Sequence, residues 1–464
     1  MAMQISGVTI QGGMNILPAG GSPSPTPGPS DPNFSNVVFL FDGDGTNGAD
    51  NNTFVDGSSN GYTVTENGTV IQGSFSPYGL PGSGSYSSTD GGSIYLGDSF
   101  NNYLNVQANN WDNTAGDWTV EAWAYFENNA TGVIINGLPN DRFYLSYVGG
   151  VFYVGDGISN PISYTYGAIT TNTWMHLAVV NNSSTGKLHF FIDGVDVANA
   201  NNTLSSNTIT TWQVGSRPSV SAGFPGYLSD VRVTAGTMVY PTGSNFTPPT
   251  SPLSALAGTD LLIQGQNSAI FDYTAKNNIN TIGNAQINTS IKKFGTGSVK
   301  FDGTGDGLTA PASSDFELDG DFTIEFWLNV NSNSPQYQTI VTCNYVTNPG
   351  WLVQPKMTGT DVEMIFYGGG TLTGSDIKGT VGSWHHWAIV RSSGVVKMYK
   401  DGVASSSTVS TTATLGDPTE LLEIGSRSGQ SWDLDGYIDD LRITKGVARY
   451  TSNFTAPTAA FPTS

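Results

Sequence analysis

Along 118–126, Trp118, Val120, Ala122, Ala124 and Phe126 fall on one face of an extended chain, and Thr119, Glu121, Trp123 and Tyr125 on the other. Along 322–330, Phe322, Ile324, Phe326, Leu328 and Val330 oppose Thr323, Glu325, Trp327 and Asn329. A period of two predicts strands with one face in a core. Asp193-Gly194 and Asp401-Gly402 sit between apolar runs, which predicts tight hairpins. No stretch sustains a 3.6-residue period between helix caps. The pattern predicts an all-β chain of short antiparallel strands and Gly-rich turns, folded as a two-sheet sandwich or jelly roll.

The same pattern is written twice. Asp117-Trp-Thr-Val-Glu-Ala-Trp123 returns as Asp321-Phe-Thr-Ile-Glu-Phe-Trp327, and Trp174-Met-His-Leu-Ala-Val-Val180 as Trp384-His-His-Trp-Ala-Ile-Val390. Phe191-Ile-Asp-Gly-Val195 returns as Tyr399-Lys-Asp-Gly-Val403, and Val214-Gly-Ser-Arg217 as Ile424-Gly-Ser-Arg427. Gly226-Tyr-Leu-Ser-Asp-Val-Arg-Val-Thr234 returns as Gly436-Tyr-Ile-Asp-Asp-Leu-Arg-Ile-Thr444. Each copy closes on Tyr240 with Asn245-Phe-Thr, or Tyr450 with Asn453-Phe-Thr. Two domains are expected, 36–250 and 259–464, joined by 251–258. Ahead of them lie a short segment, 1–20, suited to attachment, and a Pro/Ser/Gly-rich stretch, 21–35, suited to a semi-rigid spacer.

Composition narrows the function. Lys and Arg total 17 against 37 Asp and Glu, a net charge of −20, and no basic cluster is available to neutralise phosphates. A nucleic-acid partner is not expected. Apolar runs are too short for membrane insertion, and the N-terminus lacks the basic start and long apolar stretch of a secretion signal. A single cysteine, Cys343, allows no intrachain disulfide, and four histidines leave little for a zinc site.

Taken in order, these motifs resemble the laminin-G-like, concanavalin A-like jelly-roll superfamily. Further marks are Phe41-Asp-Gly, Asp56-Gly-Ser-Ser-Asn-Gly61 and Gly297-Ser-Val-Lys-Phe301. The likeness covers 36–248 and 259–457. It implies a fold that hosts lectin-like, adhesive and glycan-cleaving proteins alike. The layout as a whole resembles a structural protein of a marine bacteriophage virion, a tail fibre or surface decoration of a cyanophage. That likeness implies assembly in the host cytoplasm, attachment to other virion proteins through 1–20, a homo-oligomer, and contact with a host-surface glycan. A secreted bacterial glycan-binding adhesin and a glycan hydrolase of the superfamily are the alternatives.

Candidate chemistry is sparse. A retaining glycosidase needs two carboxyls about 5–5.5 Å apart. The nearest approach, Glu317-Leu-Asp319-Gly-Asp321, precedes its strand and contains a turn glycine, so the chain is expected not to be an enzyme. Glu121 with Trp123, and Glu325 with Trp327, put a carboxylate beside an aromatic ring on one strand face, an arrangement that binds sugars and that also serves as a packed second face. Asp230 with Arg232, and Asp440 with Arg442, stand two apart and are expected to form structural ion pairs. His176 and His386 are expected to be packed and hydrogen-bonded. Laminin-G-like domains often hold calcium at a sheet edge, and the resemblance points to loops around Asp42, Asp56, Asp302 and Asp306 as candidate ligands.

Overall fold

The computed structural model describes residues 31–78, 91–114, 116–205, 208–265, 269–344 and 350–463. The attachment segment and most of the spacer lie outside the described residues. As expected, the rest is antiparallel β-structure, with single 3-10 turns at Phe34–Asn36, Pro218–Val220 and Ser314–Phe316.

Two β-sandwiches form. In the first, strand Trp118–Phe126 lies between Trp174–Asn182 and Gly226–Ala235. Its apolar face, Trp118 to Phe126, joins one buried core with Trp111, Phe143 and Trp212 of the opposing sheet. In the second, Phe322–Val330 lies between His385–Ser392 and Asp435–Lys445. Its apolar face packs with Val341, Trp351 and Met364 of the opposing sheet. The alternation thus sets the core of both copies.

The sandwiches follow the two repeats except at one strand each. Val37–Phe41, the first strand of repeat one, pairs with Asp435–Lys445, the last strand of repeat two. Thr259–Ile263, the first strand of repeat two, pairs with Gly226–Ala235 in the first sandwich. Leu40 lies opposite Arg442 as Leu262 lies opposite Arg232, so the two strands are equivalent and have changed places. A boundary at 251–258 therefore divides the chain order but not the sandwiches.

A matched pair of aspartates latches each exchanged strand. The Leu262 backbone N–H donates to Asp56 at 2.9 Å, and that of Leu40 to Asp272 at 3.0 Å. Val37–Phe41 is buried throughout. Phe39 and Phe41 enter the second core, while Val37 and Leu40 pack under Tyr273 and Phe461. Two covered faces explain a run without alternation.

Each Asp-Gly hairpin also anchors the segment that follows the last strand. Gly194 and Gly402 have φ of +76° and +82°. Their carbonyls accept from the Phe246 and Phe454 N–H at 2.8 and 2.9 Å. There Tyr240 stacks on Phe246 at 3.7 Å and Tyr450 on Phe454 at 3.6 Å. These stacked pairs roof the outer face of the central strands.

Candidate functional site

That roof decides the fate of the Glu-x-Trp pairs. Glu121 is fully buried and accepts from Arg232 Nη2 at 2.6 Å, from the Tyr240 hydroxyl at 2.5 Å, and lies 3.2 Å from His176 Nε2. Glu325 is as deeply buried, with Arg442 Nη2 at 2.8 Å, the Tyr450 hydroxyl at 2.8 Å and His386 Nε2 at 3.3 Å. Burial opposes ionisation of Glu121, but the His176 hydrogen bond and the Arg232 charge outweigh it and hold the carboxyl below its ordinary value. Arg442 and His386 do the same for Glu325 against its burial. Trp123 packs on His176 at 5.2 Å, and Trp327 is buried under the Lys293 ammonium, 3.9 Å from the ring centre. The carboxylates face protein groups on every side and tie the sheet to its roof; no sugar reaches them.

The expected Asp–Arg pairs do not form. Arg232 turns to Glu121 and to the Ser254 carbonyl at 2.8 Å, and Arg442 to Glu325 and to Asp31 at 3.1 Å. Asp230 instead accepts from the Tyr78 hydroxyl, Gln264 Nε2 and the Leu253 N–H. Asp440 accepts from the Phe461 N–H at 3.1 Å. The physical reason is a β-bulge in each last strand. The register slips between Ser229 and Arg232, and the matching slip sits between Glu325 and Trp327. Asp230 and Asp440 take φ of +50° and +54°. One extra residue breaks the alternation that would have put the two charges together.

The four candidate calcium ligands are not gathered either. Asp56 is occupied by Leu262, Ser58 and Tyr62 N–H groups. Asp302 and Asp306 adjoin, but Asp306 accepts the Asp302 and Asn284 N–H groups at 2.9 and 2.8 Å. Asp42 is buried; burial, then the Asp44 charge, pushes it up to about 8. Calcium takes 6–8 oxygens, and among the described residues no three His, Cys, Asp or Glu side chains converge as a metal ion requires.

A different feature opens where the sandwiches meet. On the outer face of the first sandwich's sheet, Trp174, Tyr125, Tyr227 and Tyr95 lie opposite one another in register, one from each of four adjacent strands. Cross-strand neighbours on one face come within contact, and the ring centres are 5.3, 5.8 and 4.7 Å apart along the row. Phe75 lies against its middle, 4.9 Å from Tyr125 and 4.7 Å from Tyr227. Phe75, Tyr95, Tyr125 and Tyr227 wall a cleft of about 560 Å³, within the range of ligand pockets. Glu127 and Asn172 complete this wall, and Ser313, Ser314, Asp315 and Pro418 of the second sandwich face it. Burial pushes Glu127 up to about 7, with the Asp98 charge adding to it, against a hydrogen bond with Tyr95. The cleft combines the partly exposed rings of Tyr95 and Tyr125 with a carboxyl, an amide and hydroxyls, which suits a ligand with both apolar and hydroxyl-bearing sides.

The second repeat is the internal comparison. At the same register positions it carries Asn329 for Tyr125 and Lys300 for Tyr95, around the shared Tyr437. Glu127 donates its N–H to Pro225 as Asn331 does to Asp435, so Asn331 stands in the place of Glu127. The fold needs neither the row nor the acid. Sequence reasoning passed over this site because it weighed residues that both copies keep; positions at which the copies differ carry the signal.

The domain 4 of an extracellular arabinanase from Geobacillus stearothermophilus, in complex with arabinotriose, is 18% identical over 38% of this chain and 87% of that one, with a TM-score of 0.31. Domains LG4-5 of the mouse laminin alpha1 chain are 13% identical over 85% of this chain and 95% of that one, at 0.27. The LG1-3 region of the laminin alpha2 chain is 11% identical over 78% and 63%, at 0.34. No curated protein matches the chain. The family model of the concanavalin A-like lectin/glucanases superfamily, in its laminin-G form, matches residues 97–238 and again 302–449. Those two stretches are the bodies of the two sandwiches, and the chain belongs to that superfamily through both of them.

Proposed function

We propose that this chain is a non-enzymatic structural protein of a bacteriophage virion, a tail fibre or surface decoration, whose lectin-like domains contact a host-surface glycan. One observation carries the glycan reading: Tyr125 and Tyr95 of the first sandwich line a cleft, and the second copy carries Asn329 and Lys300 in their places. A sandwich keeps such rings partly in solvent only at a cost, because burying a large apolar side chain fully is worth about 1.5–3 kcal/mol. Sugars repay it by stacking their apolar faces on the rings. The layout of attachment segment, spacer and paired domains supports the virion reading. In it, 1–20 joins other virion proteins and gathers copies into a homo-oligomer. Mass spectrometry of purified particles is expected to find the chain, and host-cell adhesion of the purified protein is expected to fall with Tyr125→Asn. Particles that never contain the chain would overturn the virion reading; adhesion indifferent to Tyr125 would overturn the cleft.

A further inference from the structure

We infer that the cleft between the sandwiches selects an extended, uncharged glycan and rejects acidic ones, with the row of the first sandwich as platform and the second sandwich as a polar wall. The inference rests on reading the cleft as the glycan site and adds the ligand's chemistry and course.

The course follows from the strands. Trp174, Tyr125, Tyr227 and Tyr95 stand on four neighbouring strands, so the row runs across the sheet for about 14 Å at the usual strand spacing. Phe75 covers its middle on one side and leaves Tyr125, Tyr227 and Tyr95 lining the cleft. Tyr227 is buried between them, so Tyr125 and Tyr95 are the partly exposed rings of the row, two strands and about 10 Å apart, and a ligand that meets both must be longer than a single sugar.

The charge follows from the lining. Glu127 and Asp315 stand on opposite walls, and both bear on Tyr125. Asp98 adds to the field at Glu127. The cation of the lining, Lys276, directs its ammonium to the Val37 carbonyl at 3.1 Å, on the exchanged strand. A uronate, sialate or sulfate ester would bring its charge between two carboxyls against the single ammonium of Lys276, which is turned toward the Val37 carbonyl, inside a molecule of net charge −20. Hydroxyls meet no such opposition: Ser313, Ser314 and Asn172 can donate to them, and Glu127 can accept from them.

The test uses the full chain and matched oligosaccharides of equal length: neutral glucan, mannan and xylan types against uronate-bearing and sulfated ones, titrated by calorimetry. Neutral chains are expected to bind, and longer ones better than disaccharides. Tyr125→Asn and Tyr95→Lys install the residues that the second repeat carries at the same positions, so the fold tolerates them. Each is expected to weaken binding about tenfold or more, as removal of an aromatic anchor does. Glu127→Gln is expected to keep neutral ligands and to narrow the gap to acidic ones. Acidic chains that bind tightly and are lost with Tyr125→Asn would overturn the selectivity while leaving the site. Binding of any chain that ignores both tyrosine variants, or no binding at all, would overturn the site and the inference with it.

Discussion

Truncating Phe39 to alanine is expected to loosen the second sandwich and spare the first, although Phe39 opens the first repeat. The ring is fully buried, with the rings of Phe41 at 6.0 Å and Phe316 at 6.2 Å packed edge-on against it, all in the second core. Removing a buried phenylalanine costs about 3–5 kcal/mol, transfer and cavity together. For a unit of about 200 residues, each kcal/mol lowers the melting temperature by about 2–4 °C, so a loss of roughly 6–20 °C follows. Hydrogen exchange read by peptide locates it: Phe322–Val330 and Asp435–Lys445 are expected to lose protection, and Trp118–Phe126 to keep it. Leu261→Ala, fully buried on the strand that went the other way, is expected to give the mirror image, with a loss of about 2–5 kcal/mol in the first sandwich. Phe39→Ala that exposes the first sandwich and leaves the second protected would refute the exchange of strands.

Asp42 occupies the place of Gln264, which in the first sandwich donates to Asp230 at 2.6 Å. Its folded pKa, raised by burial and then by Asp44 to about 8, exceeds the ordinary 3.8, so its contribution is full below that ordinary value and is lost as pH rises through about 8. Asp439, raised to about 6 chiefly by burial, acts in the same direction. The second sandwich is therefore expected to melt lower at pH 9 than at pH 5, and Asp42→Asn to flatten that slope; an unchanged slope would contradict it. Glu325→Gln leaves Arg442 and Arg449 facing a neutral amide in a buried network and is expected to destabilise by about 3–5 kcal/mol, seen as an earlier denaturant midpoint. Gly402→Ala would drive a Cβ to 1.9 Å from the Phe454 carbonyl oxygen, from a backbone at +82°. Faster proteolysis within 446–457 is expected, with more loss than the roughly 1–2 kcal/mol of left-handed strain alone.

Much of the fold was open to sequence reading because short-range rules govern it. Alternation in Trp118–Phe126 and Phe322–Val330 names the core faces, and Asp193-Gly194 and Asp401-Gly402 name the hairpins. The exchanged strands were closed to such reading. Val-Val-Phe-Leu-Phe says that a strand is covered on both faces, not which sheet covers it, since either last strand offers the same ladder. The bulges at Asp230 and Asp440 escaped for a related reason: period two was carried through a residue whose left-handed backbone stops it. In the Glu-x-Trp pairs the sequence left a sugar-binding face and a packed second face side by side, because the roof of Tyr240 and Phe246 that covers the carboxylate arrives from more than a hundred residues away along the chain. The cleft is non-local in the same sense, assembled from strand register on one side and a second domain on the other.

The clasp at Asp31 has a mechanical meaning. Its carboxylate holds Arg449 at 2.7 Å and Arg442 at 3.1 Å, just ahead of the strand that completes the second sandwich, and Phe461 packs beside it. Both ends of the described chain are thus moored to one body. Tension applied at residue 31 enters the second sandwich first and reaches the other through the chain that links the exchanged strands and across the seam where the cleft lies, so a ligand wedged there would feel the pull as a change in the walls that grip it.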